Sequence, residues 1–499
     1  MSETVPASDA FARSAERFGV VVSWLGDAEA GRLAHADLED RLQGHARELF
    51  CALFQDHLDL RALTERRTEV RDDAGLAHAT IEVGHERVLT TIFGEVTVSR
   101  IAYRRRGHEN LRPADAQLNL PSERHSHGLR RLAAIESSRG SFDGATEAIY
   151  RATGVKVAKR QVEALTARAG VDFAAFYARH PRRQAADGDV LVLSMDGKGV
   201  VMRPDALRKA TAKAAAETEN KLESRLSRGE KRYRKRMAEV GAVYDLTPVP
   251  RTAGQILTHH DDDTSRPAVQ KAANKWVIAS VVDDAKDVIG QVFSEADRRD
   301  PGHHRNWVAL VDGNAHQINC IETEAKAREI AVPIVIDFVH VLEYLWKAVW
   351  CFYAEGDRAV EAWVGEKALA LLRGDARQVA ASIRRKATAL GLTAPKRKGA
   401  DVCATYLTNK ADYLDYPTAL AKGWPIASGV IEGTCRYLVA DRMDITGARW
   451  SVDGAEAVLK LRAIRANGDF EEYFAFHLNE EQRRLHRSRF ENGTIPQAA

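Results

Sequence analysis

Cysteine is scarce in this 499-residue chain. The five residues Cys51, Cys320, Cys351, Cys403 and Cys435 are scattered and never spaced as CxxC. That argues against a cysteine zinc ribbon and a disulfide framework, and leaves buried thiols as the simpler reading. Apolar runs of membrane-spanning length are missing as well. The first ten residues lack a basic patch followed by an apolar stretch, so the chain is expected to stay in the cytoplasm, with no membrane partner. Neither sign of charge dominates: 73 Lys and Arg against 70 Asp and Glu leave a formal charge of +3. Any nucleic acid would therefore be held by local patches, not by a global field. There is also no Arg–HxxR–Tyr series of the kind a tyrosine recombinase needs.

With 45% apolar and 29% charged residues the chain reads as folded, not disordered. Its length suggests roughly two to four domains. Residues 10–80 have helical texture, with Leu49, Phe50, Leu53, Phe54 and Leu58 at helical spacing as a core stripe or a dimer face. The runs 87–92 and 96–101 around Phe93-Gly94-Glu95 predict a hairpin, followed by Arg104, Arg105 and Arg106. Between 127 and 170 helices return. Ser141 can cap one, Gly154 breaks the chain, and a second helix buries Val162 and Leu165. This is the outline of a helix-turn-helix, with Lys159 and Arg160 outward near the start of the second helix. Any two amphipathic helices give a similar outline.

The run 190–195 is continuously apolar, as expected of a strand buried on both faces. Similar strands are expected at 241–249, 276–282, 307–311 and 332–336, giving a mixed α/β core around a central sheet. Two inserts interrupt it. Residues 205–238 are rich in Ala, Lys and Arg and are expected to be helical; they contain Arg228, Lys231, Arg232, Arg234, Lys235 and Arg236. This basic run is either a solvated helix face or a phosphate contact. The second insert, 350–422, is mostly helical in pattern.

Three acids stand out by setting. Asp196 is read as ending one apolar strand and Asp312 as ending another, each followed by Gly; Glu432 sits early in a helix after the second insert. Strand-end carboxylates reach solvent, and flanking glycines let a ligand approach closely. Oxygen donors of this kind suit Mg2+ (or Mn2+), and two such ions can serve an in-line phosphoryl displacement. Each acid also has a plainer reading: Asp-Gly is an ordinary turn, and Glu432 with Arg436 is an ordinary helix pair. Asp337 and His340 lie one helical turn apart after another strand, and Asp337 can be a helix cap, a functional group or both. The cluster His259-His260-Asp261-Asp262-Asp263 is either a solvated loop or a metal site.

At these residues the sequence resembles transposases of the ISKra-type bacterial insertion sequences. The matching stretches are Ser141-Phe142 through Gly154-Val155, Met195-Asp196-Gly197-Lys198-Gly199-Val200, Val311-Asp312-Gly313-Asn314 and Ile336-Asp337-Phe338-Val339-His340. The last is Gly429-Val430-Ile431-Glu432-Gly433 with Arg436, Arg442, Gly447, Arg449 and Trp450. The resemblance implies a DDE-class, RNase H-like catalytic core with a helical insertion before its last acid. It implies that Asp196, Asp312 and Glu432 hold two Mg2+ or Mn2+ ions, with Asp337 and His340 similar to the C/DxxH element of Mutator-like transposases. The segment 81–125 resembles the N-terminal ribbon of those enzymes, here without a cysteine pair.

The expected architecture is multidomain α+β: a helical region (1–80), a β-ribbon (81–125), a helix-turn-helix region (126–185), the core (186–349 and 423–470) with basic insert 205–238, the helical insertion (350–422) and a C-terminal tail (471–499). The expected function is insertion-sequence transposition: binding element ends, cleaving phosphodiesters and joining the 3′-hydroxyl to target DNA. The protein would act as a homo-oligomer in a synaptic complex associated with the nucleoid. Expected DNA contacts are Lys159, Arg160, Lys198, Lys231, Arg232, Arg234, Lys235, Arg236, Arg436, Arg442 and Arg449. Two other classes stay open: a catalytically silent DNA-binding descendant, and a hydrolase using paired carboxylates without metal.

Overall fold

The computed structural model describes residues 10–181, 188–217, 234–257, 270–445 and 447–497. The chain divides into two compact units, Met1–Arg179 with Gly468–Ala499, and His180–Asn467. Among the described residues no helix is long and apolar enough to cross a membrane.

The first unit opens with a helix pair, Ala12–Gly26 and His35–Thr64. The stripe on the longer helix splits: Leu58 is buried with Leu89, Val96 and Val98 of a hairpin, with Phe54 and Cys51 packed alongside, while Phe50 and Leu53 are exposed. The hairpin strands β1 (Thr80–Thr91) and β2 (Gly94–Arg104) pair antiparallel; β1 starts seven residues before the expected run and β2 extends beyond its run at both ends. Three helices follow, His127–Arg139, Phe142–Thr153 and Lys159–Ala169, closing on Leu129, Ile149, Val162 and Leu165. Local chemistry sets their ends. The Gly144 N–H donates to the Ser141 hydroxyl at 2.9 Å, and Gly154 terminates the second helix at φ 72°, a backbone conformation glycine adopts without penalty. Ala158 cannot cap the third helix; Gln161 instead accepts from the Ala158 N–H at 3.3 Å.

The segment 471–499, expected as a tail, folds into this unit. Its helix Phe470–Leu485 is tied to the helix His127–Arg139 by a buried charge network in which Arg130 bonds Glu123, Glu481 and His477. The reason is patterning: Tyr473, Phe474 and His477 are buried at helical spacing, so the segment has an inward face.

The second unit is built on a five-stranded mixed sheet, β3 (Val190–Val201), β4 (Lys235–Leu246), β5 (Ala272–Ser280), β6 (Trp307–Val311) and β7 (Ile334–Ile336), in the order β5-β4-β3-β6-β7. The first three pair antiparallel; β6 and β7 run parallel to β3. The apolar run expected to end at Asp196 is in fact a longer strand, continuing six residues in register from Asp196↔Val240 to Val201↔Lys235. The two glycines read as turn or ligand positions make room for strand neighbours: a Cβ on Gly197 would lie 2.8 Å from Met237, and one on Gly199 2.7 Å from Lys235. The basic insert accordingly ends before position 235: Lys235 and Arg236 lie in β4, not in a helix. Lys231, Arg232 and Arg228, like the cluster 259–263, lie outside the described residues. The helix Ala285–Arg299 covers one face of the sheet, close enough that a Cβ on Gly241 would come within 2.5 Å of Val292. Helices Ala359–Leu372, Ala376–Ala389, Ala394–Asn409 and Tyr416–Ala421 fill the second insert.

Candidate functional site

The acids converge because of strand register. β3 and β6 are neighbouring parallel strands matched at Met195↔Val311, so Asp196 and Asp312 follow side by side. Adjacent strands lie about 4.8 Å apart. β6 ends at Val311, and Asp312 turns out of the sheet with its carboxylate accepting from the Asn314 N–H at 2.8 Å. β7 is matched to β6 at Val311↔Ile336, and the Asp337 N–H donates to the Val311 carbonyl at 2.8 Å. Three acids therefore cluster where β6 and β7 end beside β3, on the edge of an α/β sheet where ligands bind.

The helix Gly429–Thr434 brings Glu432, and the helical path continues through a π-helical segment, Cys435–Ala440. Such segments are frequent at functional sites. Cys435 lies three residues after Glu432, on the same helix face. Its thiol donates to Asp196 Oδ2 at 3.3 Å, while the Gly197 N–H donates to Oδ1 at 2.7 Å. Burial raises the Asp196 pKa, those two bonds oppose the shift, and the Asp312 charge raises it more than Lys198 lowers it. Glu432 reaches solvent; its pKa is raised by partial desolvation and then by the charges of Asp337 and Asp196. The net field is thus negative. A cation would relieve it, and the three acids offer only oxygen donors, the kind hard divalent cations take, although their ligand atoms do not all lie within 4.8 Å of one another as those of Asp72, His78 and His108 do.

Asp337 has two bonds with different duties. It is the N-cap of the helix Phe338–Val349, accepting from the Val339 N–H at 2.8 Å. Its other oxygen accepts from Ser428, the residue before the Glu432 helix. The cap and functional readings therefore combine: this buried carboxylate ties the strand end to the Glu432 segment. Replacing Asp337 by Ala is expected to cost about 2–4 kcal/mol, adding a lost cap to an unsatisfied buried hydroxyl. Urea denaturation checks it; an unchanged midpoint would contradict the clamp. His340, one turn on, is partly exposed and packs edge-on against Tyr344 at 5.4 Å.

Tyr406, from the helical insertion, stacks on Tyr344 at 4.0 Å and donates to the Asp312 carbonyl at 3.0 Å. Gly313 permits that approach: it sits at φ +93°, and a Cβ there would lie 2.7 Å from the Tyr406 hydroxyl. Sequence reading missed Tyr406, Cys435 and Ser428. Cys435 carried a signal, its i+3 spacing from Glu432; Tyr406 carried none. Glu239 is close to Asp196 electrostatically. It pairs with Gly197, however, and alternation puts it on the opposite face of the sheet from Asp196.

The expected cationic contacts separate by exposure. Lys198, Lys235, Arg436 and Arg449 are exposed in the second unit, and Arg234 is half-buried. Arg236 is turned back, donating to the Val281 carbonyl at 2.6 Å. Arg442 is a correction to the expected phosphate contacts: it is 2% exposed and lies over the Trp450 ring at 4.6 Å, with its pKa lowered by burial to about 10. Trp450 in turn forms a bridge to Met202, the residue after β3, so Arg442 is tied through Trp450 to the end of the strand that carries Asp196. In the first unit Arg160 is exposed, and Lys159 is exposed but paired with Asp143 at 2.7 Å. The sequence matches no protein-family model and no curated protein.

Proposed function

We propose that this chain is a DDE-type transposase with an RNase H-like core, resembling the ISKra-type enzymes, that cleaves DNA at element ends and joins the freed 3′-hydroxyl to target DNA. The observation that carries the reading is the placement of Asp196 and Asp312 side by side on adjacent parallel strands and of Glu432 on a helix, where desolvation first and neighbouring carboxylates second raise the pKa values of Asp196 and Glu432. The mixed sheet with a helical insertion before the last acid supports the fold assignment.

The three carboxylates would hold two Mg2+ or Mn2+ ions. When bound, such ions stabilise the attacking and leaving oxygens of an in-line phosphoryl displacement. The chain's own groups prepare the ground. Cys435 and the Gly197 N–H orient the Asp196 carboxylate. Asp337 holds the Glu432 segment through Ser428. Tyr406 fixes the backbone at Asp312. Lys198, Arg436 and Arg449 offer exposed cations for phosphates, with Arg suited to bidentate contact. The helices Phe142–Thr153 and Lys159–Ala169 support a helix-turn-helix reading, with Arg160 the more available of the two basic residues because Asp143 engages Lys159. DNA is the proposed partner, engaged by a homo-oligomer.

Titration of Mn2+ into the purified chain, followed by electron paramagnetic resonance, tests the reading. Two bound ions are expected per chain, and both are lost at the same concentrations in Asp312→Asn. Equal binding by wild type and variant would remove the metal centre. His340→Ala is expected to slow DNA cleavage about 10–100-fold, as loss of a group supporting a metal site does, with little change in melting temperature.

A further inference from the structure

Another cluster of metal-type donors lies in the first unit, apart from the acids above. Asp72, His78 and His108 each offer one ligand atom, and the three atoms lie within 4.8 Å of one another. They come from separate segments: Asp72 and His78 from the turn before β1, and His108 from the loop after β2. Asp72 Oδ1 is committed, accepting from the Ala74 and Leu76 N–H groups at 3.1 and 2.9 Å. Oδ2 faces both imidazoles, 3.2 Å from His78 Nε2 and 3.3 Å from His108 Nδ1.

His78 poses a problem of protons. Its side chain is 1% exposed, and its two ring nitrogens both face oxygens: Nδ1 the Tyr103 carbonyl at 3.3 Å, Nε2 the Asp72 carboxylate. A neutral imidazole has one N–H, so one of these contacts sets a lone pair against an oxygen. If Nδ1–H donates to the Tyr103 carbonyl, the usual arrangement for a ligating histidine, Nε2 is left as a lone pair aimed at the convergence point. The donor separations also suit an ion. Zinc bonds of about 2.0–2.2 Å at tetrahedral angles put neighbouring ligand atoms about 3.4 Å apart.

We propose that Asp72, His78 and His108 form a zinc-type site, with one carboxylate and two imidazole ligands and a fourth position open to solvent beside the half-exposed His108. Imidazole donors favour zinc over magnesium. The ion would pin the turn 72–78 to the loop after β2, whose Arg105 already donates to the Ala77 carbonyl at 3.0 Å. That loop also carries the exposed Arg106, next to Arg104 at the end of β2, which is exposed and paired with Glu82, so the metal would fix the position of a basic patch. The site is independent of the proposed catalytic centre.

The test uses the full chain, stripped with a chelator and reloaded with Zn2+ or Co2+. Zinc is counted by mass spectrometry after desalting, and Co2+ coordination is read from its visible absorption. One equivalent of zinc is expected in wild type and equally in Asp196→Asn. That equivalent, and the tetrahedral Co2+ bands, are expected to be lost in His108→Ala and in Asp72→Asn. His108 is partly exposed, so its variant should fold even where one at Asp72 does not. X-ray absorption on zinc-loaded wild type gives a reading that needs no variant, with nitrogen and oxygen donors including two imidazoles expected. The same zinc content in wild type and His108→Ala, or the same Co2+ spectrum, would overturn the proposal and leave a buried Asp–His ion pair.

Discussion

Asp196→Asn, Asp312→Asn and Glu432→Gln should each reduce DNA strand cleavage by at least about 10²–10³-fold, the scale on which one electrostatic stabiliser of a transition state contributes. Each substitution keeps the side-chain shape but removes the charge on which metal binding depends. Loss of folding will not explain the result. Burial is the main cause that raises the pKa values of Asp196 and Glu432; the Asp312 charge adds to the first and those of Asp337 and Asp196 to the second, so the metal-free protein carries like-charge repulsion on top of desolvation. Neutralising Asp312 should leave the melting temperature of metal-free protein at or above wild type, the usual trade between a strained site and stability. The pH dependence follows with a definite sign. A carboxyl whose folded pKa is raised stabilises the fold when protonated, so that contribution fades as pH rises through the raised value. Activity runs the other way: metal binding needs both carboxylates ionised, so cleavage should fall on acidification at a pH above the ordinary carboxylate range. Single-turnover cleavage and thermal melts on each variant decide this. Full cleavage by any one of the three removes that residue from the triad.

Arg130→Leu should cost about 3–5 kcal/mol, the penalty for breaking a buried ion network on one side. Arg130 is fully buried and bonds Glu123 at 2.5 Å, Glu481 at 2.6 Å and His477 Nε2 at 2.9 Å. Because Nε2 accepts there, His477 donates from Nδ1 to Asp172 at 2.7 Å, and Asp172 also takes Arg484 at 2.8 Å. Removing the guanidinium leaves Glu123 with Arg168 alone and Glu481 with Arg484 alone as counter-charges, and His477 Nε2 without its donor. Despite the burial that opposes it, Asp172 is held down to about 2 by its bonds to His477 and Arg484. A depressed carboxyl contributes stability that is complete above its unfolded pKa of about 3.9, and this is lost as pH falls toward about 2. Urea midpoints at neutral pH should drop sharply in Arg130→Leu and recover in part when Glu123→Gln and Glu481→Gln are added. A neutral effect of Arg130→Leu would contradict the network.

The central strands and the setting of Asp312 are legible in the sequence because a strand buried on both faces writes itself as a continuous apolar run, and its end is marked by the first carboxylate. The same rule misled at Asp196. Gly197 and Gly199 look like a turn, yet they extend β3 because the Met237 and Lys235 side chains lie over them. Arg442 looked like a phosphate ligand because guanidinium chemistry suits phosphates; only packing shows it closed over Trp450. Tyr406 reaches Asp312 from 94 residues away, a contact no local pattern encodes. Asp72, His78 and His108 went unread because two imidazoles and a carboxylate at spacings of six and thirty residues match no short motif.

We propose that Asp196, Asp312 and Glu432 make this chain a metal-dependent strand-transfer enzyme. The most direct measurement incubates the purified full chain with a duplex carrying the DNA that borders its own gene, plus a second target DNA, with Mg2+ or with EDTA. Breaks at the border that leave 3′-hydroxyl ends, and joining of those ends to the target, are expected in Mg2+ alone. Cleavage undiminished in EDTA, or border DNA bound but left intact at every Mg2+ and Mn2+ concentration, would contradict the proposal.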